Sequence, residues 1–101
     1  MFARVSTILG KPELLDDGIQ DYKEHVIPAV KKMAGFKQAI LMVDRKSGKN
    51  IGITFWDTEK NLQDSTLAAN KLRAQAGKTT GSAQPPMVEI YEVAVKSEIL
   101  P

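Results

Sequence analysis

The sequence predicts a single α+β domain over residues 1–101, a four-stranded antiparallel sheet with two helices on one face. Three observations predict it. Two stretches with apolar residues every three or four positions alternate with four stretches rich in β-branched and aromatic residues. Their order is β-α-β-β-α-β, which right-handed crossovers turn into a split βαβ sheet. Pro12, Gly35, Gly48 and Gly77 fall at the joints between stretches.

Residues 2–9, FARVSTIL, are strand formers, closed off by Pro12. From 12 to 33 the pattern is helical, with Leu15, Ile19, Tyr22, Val26, Val30 and Met33 on one face. Pro12 and Glu13 suit its first turn. Pro28 lacks a backbone donor and presses on the carbonyl of Glu24, which predicts a kink or a short second piece over 29–33. Gly35 ends the segment.

Residues 36–44, FKQAILMVD, form the second strand, and RKSGKN is a hairpin connection with Gly48 as its left-handed residue. Residues 50–56, NIGITFW, form the returning strand. Asp57 or Thr58 caps a second helix that runs to about Ala76, with Leu62, Ala69, Leu72 and Ala76 as its apolar stripe. Gly77 is its expected stop. GKTTGSAQPP (77–86) is a polar loop that could serve as a lid. MVEIYEVAVK (87–96) is the last strand, followed by SEILP.

This ferredoxin-like arrangement has a consequence for burial. Two helices cover one sheet face, yet the strands carry apolar residues on both. Ile51, Ile53 and Phe55 oppose Thr54 and Trp56, while Phe36, Ile40 and Met42 oppose Ala39, Leu41 and Val43. A half-solvated sheet shows polar residues on its outer face. The bare face is therefore expected to meet a second copy, as a homodimer.

Composition narrows the partners. The 14 basic and 12 acidic residues are interspersed, so no basic patch marks a nucleic-acid surface. No apolar run approaches the ~20 residues of a membrane span, and MFARVSTILGKP does not read as a secretion signal. Cysteine is absent, which removes disulfides and thiolate chemistry and suits the cytoplasm. One histidine and acids such as Asp16 and Asp17, on different helix faces, supply no metal site. Gly77-Lys78-Thr79 is not a phosphate loop, because Leu72 stands where the first glycine belongs and a helix, not a strand, precedes it. The serines have no base at a recognisable spacing.

The helix end VIPAVKKMAGF, the hairpin AILMVDRKSGKNIGITFW, the joint FWDTEKNLQDS and the strand VEIYEVAV together resemble the antibiotic biosynthesis monooxygenase-like (ABM) domains. These belong to the dimeric α/β-barrel superfamily, and the resemblance covers nearly the whole chain. It implies two sheets packed face to face and, in each subunit, a cleft between helices and sheet for a small hydrophobic or aromatic ligand. It implies no cofactor. Haem-degrading members need an Asn in the first strand and a His on the second helix; FARVSTIL has no Asn and residues 58–76 have no His.

Four residues are candidates for the site. Trp56 matches the tryptophan that oxygenase and haem-degrading relatives carry at the end of the third strand, where it lines the cleft. Its alternative is an aromatic filling the corner where the second helix leaves the sheet. Tyr22 falls on the buried stripe with a hydroxyl that needs a partner, either as a cleft wall or as a core tyrosine. Met33 lines the cleft or, with Leu62 and Trp56, closes it. His25, beside the stripe, is a candidate general base or proton relay, or a solvated surface group. The expected function is small-molecule binding, with cofactor-independent monooxygenation of an aromatic substrate as its enzymatic form. The alternative is a non-catalytic dimeric module. A cleft of at least ~300 Å³ separates the two.

Overall fold

In the computed structural model, which describes residues 1–97, the sheet order is β2-β3-β1-β4 and every pairing is antiparallel. The strands are β1 (Phe2–Leu9), β2 (Phe36–Val43), β3 (Lys49–Trp56) and β4 (Met87–Glu92). β1 lies inside the sheet because both β3 and β4 pair with it, Phe2 standing between Trp56 and Glu92. That pairing also explains why β4 is shorter than the expected 87–96. β1 begins at Phe2, so the ladder runs out at Glu92, beyond which the amide of Val93 donates to the carbonyl of Met1 at 2.9 Å. Of the tail SEILP, residues 98–101 lie outside the described residues.

The first helical segment is built in pieces. A 3₁₀ turn at Pro12–Leu14 leads into α1 (Leu15–Asp21), then one wide π turn at Tyr22–Val26, then α2 (Ile27–Lys31). In the wide turn the Ile27 amide donates to the Tyr22 carbonyl five residues back. Pro28 follows immediately. The predicted irregularity is therefore absorbed one turn earlier, where widening makes room ahead of the proline ring. Leu15, Val26 and Val30 are buried, as the stripe requires. Gly35 then adopts φ +78°, a conformation open to glycine, and an added Cβ would lie 2.1 Å from Asp57 Oδ1.

The second segment departs from expectation at two points. Thr58 caps α3 (Glu59–Asp64), its Oγ1 accepting from the Asn61 amide at 3.1 Å. The helix breaks at Ser65, whose hydroxyl donates to the Leu62 carbonyl at 2.6 Å. Serine and threonine side chains compete for backbone groups in this way, so the predicted single helix is two. α4 (Thr66–Thr79) then runs straight through Gly77, the expected stop. Glycine permits a helix end without forcing one, and here the left-handed residue is Gly81, φ +70°.

Both helical segments lie on one face of the sheet. Strand alternation puts Arg4, Ser6 and Ile8 beneath them, with Asn50, Gly52, Thr54 and Trp56 of β3 and Leu41 and Val43 of β2. The opposite face carries Ala3, Val5, Ile51, Ile53, Phe55, Ile40 and Met42, and among these Met42 is 47% exposed. Phe36 is a correction. An irregularity between Phe36 and Gln38 shifts the register, so Phe36 pairs with Trp56 and its ring meets the indole edge-on at 5.7 Å. It therefore sits on the helix side, away from Ile40 and Met42.

Candidate functional site

The strand face under the helices is more polar than the face turned away from them. On β3 the inward row reads Asn50, Gly52, Thr54, Trp56, and on β1 it reads Arg4, Ser6, Ile8. Small and polar side chains leave space where a core would otherwise close. The result is a cavity of about 80 Å³ between sheet and helices. Val26, Val30, Leu41, Val43 and Leu72 give it apolar walls, and Arg4, Asp21, Asn50 and Arg73 bring polar groups to it.

Three of the four sequence candidates, Tyr22, Met33 and Trp56, line this cavity. Trp56 is fully buried, and its indole N–H donates to Thr54 Oγ1 at 2.9 Å. It is both a corner residue packed on Phe36 and a cavity wall. Tyr22 lies over Gly52, where an added Cβ would sit 3.4 Å from the ring, and its hydroxyl donates a long 3.4 Å bond to the Ile40 carbonyl. Burial pushes the Tyr22 hydroxyl up from 10.0 to about 12. Met33 is half-buried at the end of the first helical segment. Leu62 is fully buried but does not reach the cavity.

His25 does not line the cavity. Its side chain is 64% exposed, and Nδ1 faces the buried carboxylate of Asp21 at 3.1 Å. Asp21, on the last turn of α1, does line the cavity. The pair thus spans from solvent to the cavity wall. Of residues 77–86 only Thr80, just past the end of α4, lines the cavity, and its carbonyl accepts from the Lys11 amide at 2.8 Å.

Sequence reasoning missed Arg4, Asp21, Asn50 and Arg73. Arg4 is 3% exposed. Its guanidinium donates to Ser65 Oγ and the Leu62 carbonyl, each at 2.9 Å, and to Thr66 Oγ1 at 3.2 Å. Burial and the neighbouring charge of Arg73 push it down to about 10, so it stays a cation at neutral pH. Burial also lowers Arg73, which donates to Asn70 Oδ1. Asn50 Nδ2 is buried without a partner. The available signal was alternation: Arg4 shares its strand face with Ser6 and Ile8, opposite Ala3 and Val5. Among the described residues no cluster of His, Asp or Glu could hold a metal ion, and no helix is long and apolar enough to cross a membrane.

No family model matches the chain. It is 32% identical over 94 residues to the uncharacterized protein Rv2557 of Mycobacterium tuberculosis and 31% identical over 96 residues to Rv2558 of the same organism. These matches take in 93% and 94% of this chain but only 41% and 39% of the relatives' lengths. Among solved structures, a monooxygenase from the gene ActVA-Orf6 of Streptomyces coelicolor, in complex with nanaomycin D, aligns with TM-score 0.73 and 19% identity over 99% of this chain and 91% of its own. The heme-degrader MhuD of Mycobacterium tuberculosis, with two hemes in its active site, aligns with TM-score 0.73 and 16% identity over 97% of this chain and 100% of its own. The chain therefore carries the ferredoxin-like fold of the antibiotic biosynthesis monooxygenase-like proteins.

Proposed function

We propose that the protein binds a small aromatic molecule in the cavity between helices and sheet and acts on it as a cofactor-independent monooxygenase, working as a cytoplasmic homodimer. The observation that carries this reading is the convergence of Trp56, Tyr22 and Met33 on one cavity that also holds a buried carboxylate, Asp21. In this chemistry the substrate's own anion reduces dioxygen. A methylene beside an electron-rich ring becomes a carbonyl, the second oxygen atom leaves as water, and all four electrons come from the substrate.

The protein's part is orientation, exclusion of water and one proton transfer. Asp21 accepts the substrate proton at its carboxylate, and the exposed imidazole of His25 passes protons between Asp21 and solvent. Trp56 and Tyr22 bound the ring. Apolar side chains on the open sheet face, Met42 and Ile40 among them, support the pairing of two copies.

The size of the cavity supports a second reading. About 80 Å³ is well below the ~300 Å³ usual for ligand pockets, as expected of a non-catalytic dimeric module. Incubation with phenolic and anthrone-like substrates under oxygen separates the two. Oxygen uptake together with a change in Trp56 fluorescence supports the enzyme. A broad panel that produces neither supports the module.

A further inference from the structure

Charge is unevenly distributed around the cavity. Two cations, Arg4 and Arg73, and one buried carboxylate, Asp21, line it. The ion pairs among the described residues are His25–Asp21, Arg45–Asp16 and Lys60–Asp64, and neither arginine takes part in one. A guanidinium has five N–H donors, and the three bonds of Arg4 all end on neutral oxygens. Neutral acceptors do not offset the cost of taking a cation out of water, which a bound anion would do. Part of the Arg4 arrangement has a plain structural use, since its bond to the Leu62 carbonyl caps the end of α3. That use fixes the guanidinium beside the cavity without neutralising it. Arg73, from α4, adds a second uncompensated charge close enough to depress Arg4. Asn50 is 8% exposed, and its buried, unpartnered Nδ2 is an additional donor in the wall.

We propose that the cavity's ligand is a small aromatic carboxylic acid bound as its anion, with the carboxylate held by Arg4 and Arg73. Its ring lies against Trp56 and Tyr22, and Asn50 Nδ2 donates to a hydroxyl or carbonyl oxygen elsewhere on the ring system. This rests on the reading of the cavity as a ligand site and names the class of ligand.

The test is titration of the protein with benzoate, para-hydroxybenzoate and hydroxynaphthoate against their amides, with phenol and inorganic phosphate as further probes. Trp56 is the chain's single tryptophan, so its fluorescence reports occupancy, and calorimetry gives the affinities. The acids are expected to bind at least tenfold more tightly than the amides, with phosphate weaker than either. Arg73→Met is expected to reduce that preference to within about twofold with Tm unchanged, since Arg73 is only half-buried, and Arg4→Met to reduce it as far while lowering Tm, since its bonds to Ser65, Leu62 and Thr66 are lost. A large fall in Tm with equal loss of acid and amide binding would make Arg4 purely structural, and retention of the preference in Arg73→Met would then overturn the proposal.

Equal binding of acids and amides overturns it as well, as does phosphate binding as tightly as the aromatic acids. Oxygen uptake with an anthrone-like substrate but no preference for acids sinks this proposal and leaves the monooxygenase standing. Preference for acids without oxygen uptake does the reverse. No binding by any probe overturns both.

Discussion

Arg4 of β1 donates to the carbonyl of Leu62 at 2.9 Å, fastening an inner strand to the break between α3 and α4. The Ser65 hydroxyl donates to the same carbonyl. The helix break is thus part of the site's architecture, because it turns a carbonyl and a hydroxyl towards the sheet and fixes a cation beside the cavity.

Gly52 leaves the space beneath Tyr22. Its missing Cβ would sit 3.4 Å from the Tyr22 ring, an ordinary contact, so alanine is tolerated and valine extends into the cavity. Gly52→Val is expected to lower aromatic-ligand affinity at least tenfold, with a stability change of no more than about 1–3 kcal/mol in urea. Unchanged affinity would move the ligand elsewhere.

Gly18 in α1 faces the buried Thr80, and a Cβ there would lie 2.5 Å from its Cγ2. Gly to Ala inside a helix ordinarily gains about 0.5–1 kcal/mol. Here the sign reverses, with Gly18→Ala expected to cost about 1–3 kcal/mol through overpacking. In a Thr80→Ser background, which lacks that methyl, the same change should be neutral or stabilising. Chemical denaturation of the four variants measures the coupling.

Tyr22 gives a pH signature. Its hydroxyl is raised to about 12, so between pH 10 and 12 the unfolded chain releases a proton that the folded protein keeps. The contribution is full below pH 10 and is lost as pH climbs to 12. Urea melts of Tyr22→Phe are expected to show a shallower loss of stability across that window than the unaltered protein. Parallel curves would mean the hydroxyl is not buried in solution.

The open sheet face makes a prediction about mass. Ile40 and Met42 are exposed in a single copy, so lysines there are compatible with folding. Sedimentation of the unaltered protein at micromolar concentration is expected to give two copies, and of Ile40→Lys/Met42→Lys one. A well-folded single copy of the unaltered protein removes the basis for pairing.

Most of the fold was legible because its signals are local. The apolar period of residues 15–33, the hairpin glycine Gly48 (φ +83°) and the Thr58 cap depend on neighbours in sequence. The face of Phe36 was not, since the irregularity before Gln38 arises from pairing with β3. The inner polar groups were harder to see. A charged residue in a strand or helix reads by default as solvated, and the burial of Arg4 and Asp21 follows from which face the helices cover. Trp56 was legible as a cleft wall or a corner residue, and the structure buries it against Phe36 at the edge of the cavity.

The wide turn at Tyr22–Val26 holds one residue more than an ordinary helical turn needs. Deleting a single residue there would let an ordinary turn close while the helical pieces on either side keep their faces, so Leu15 and Val30 would stay buried. A length change of one amino acid at this turn thus leaves the buried stripe in register and alters only the side chains, Tyr22 among them, that the turn itself presents.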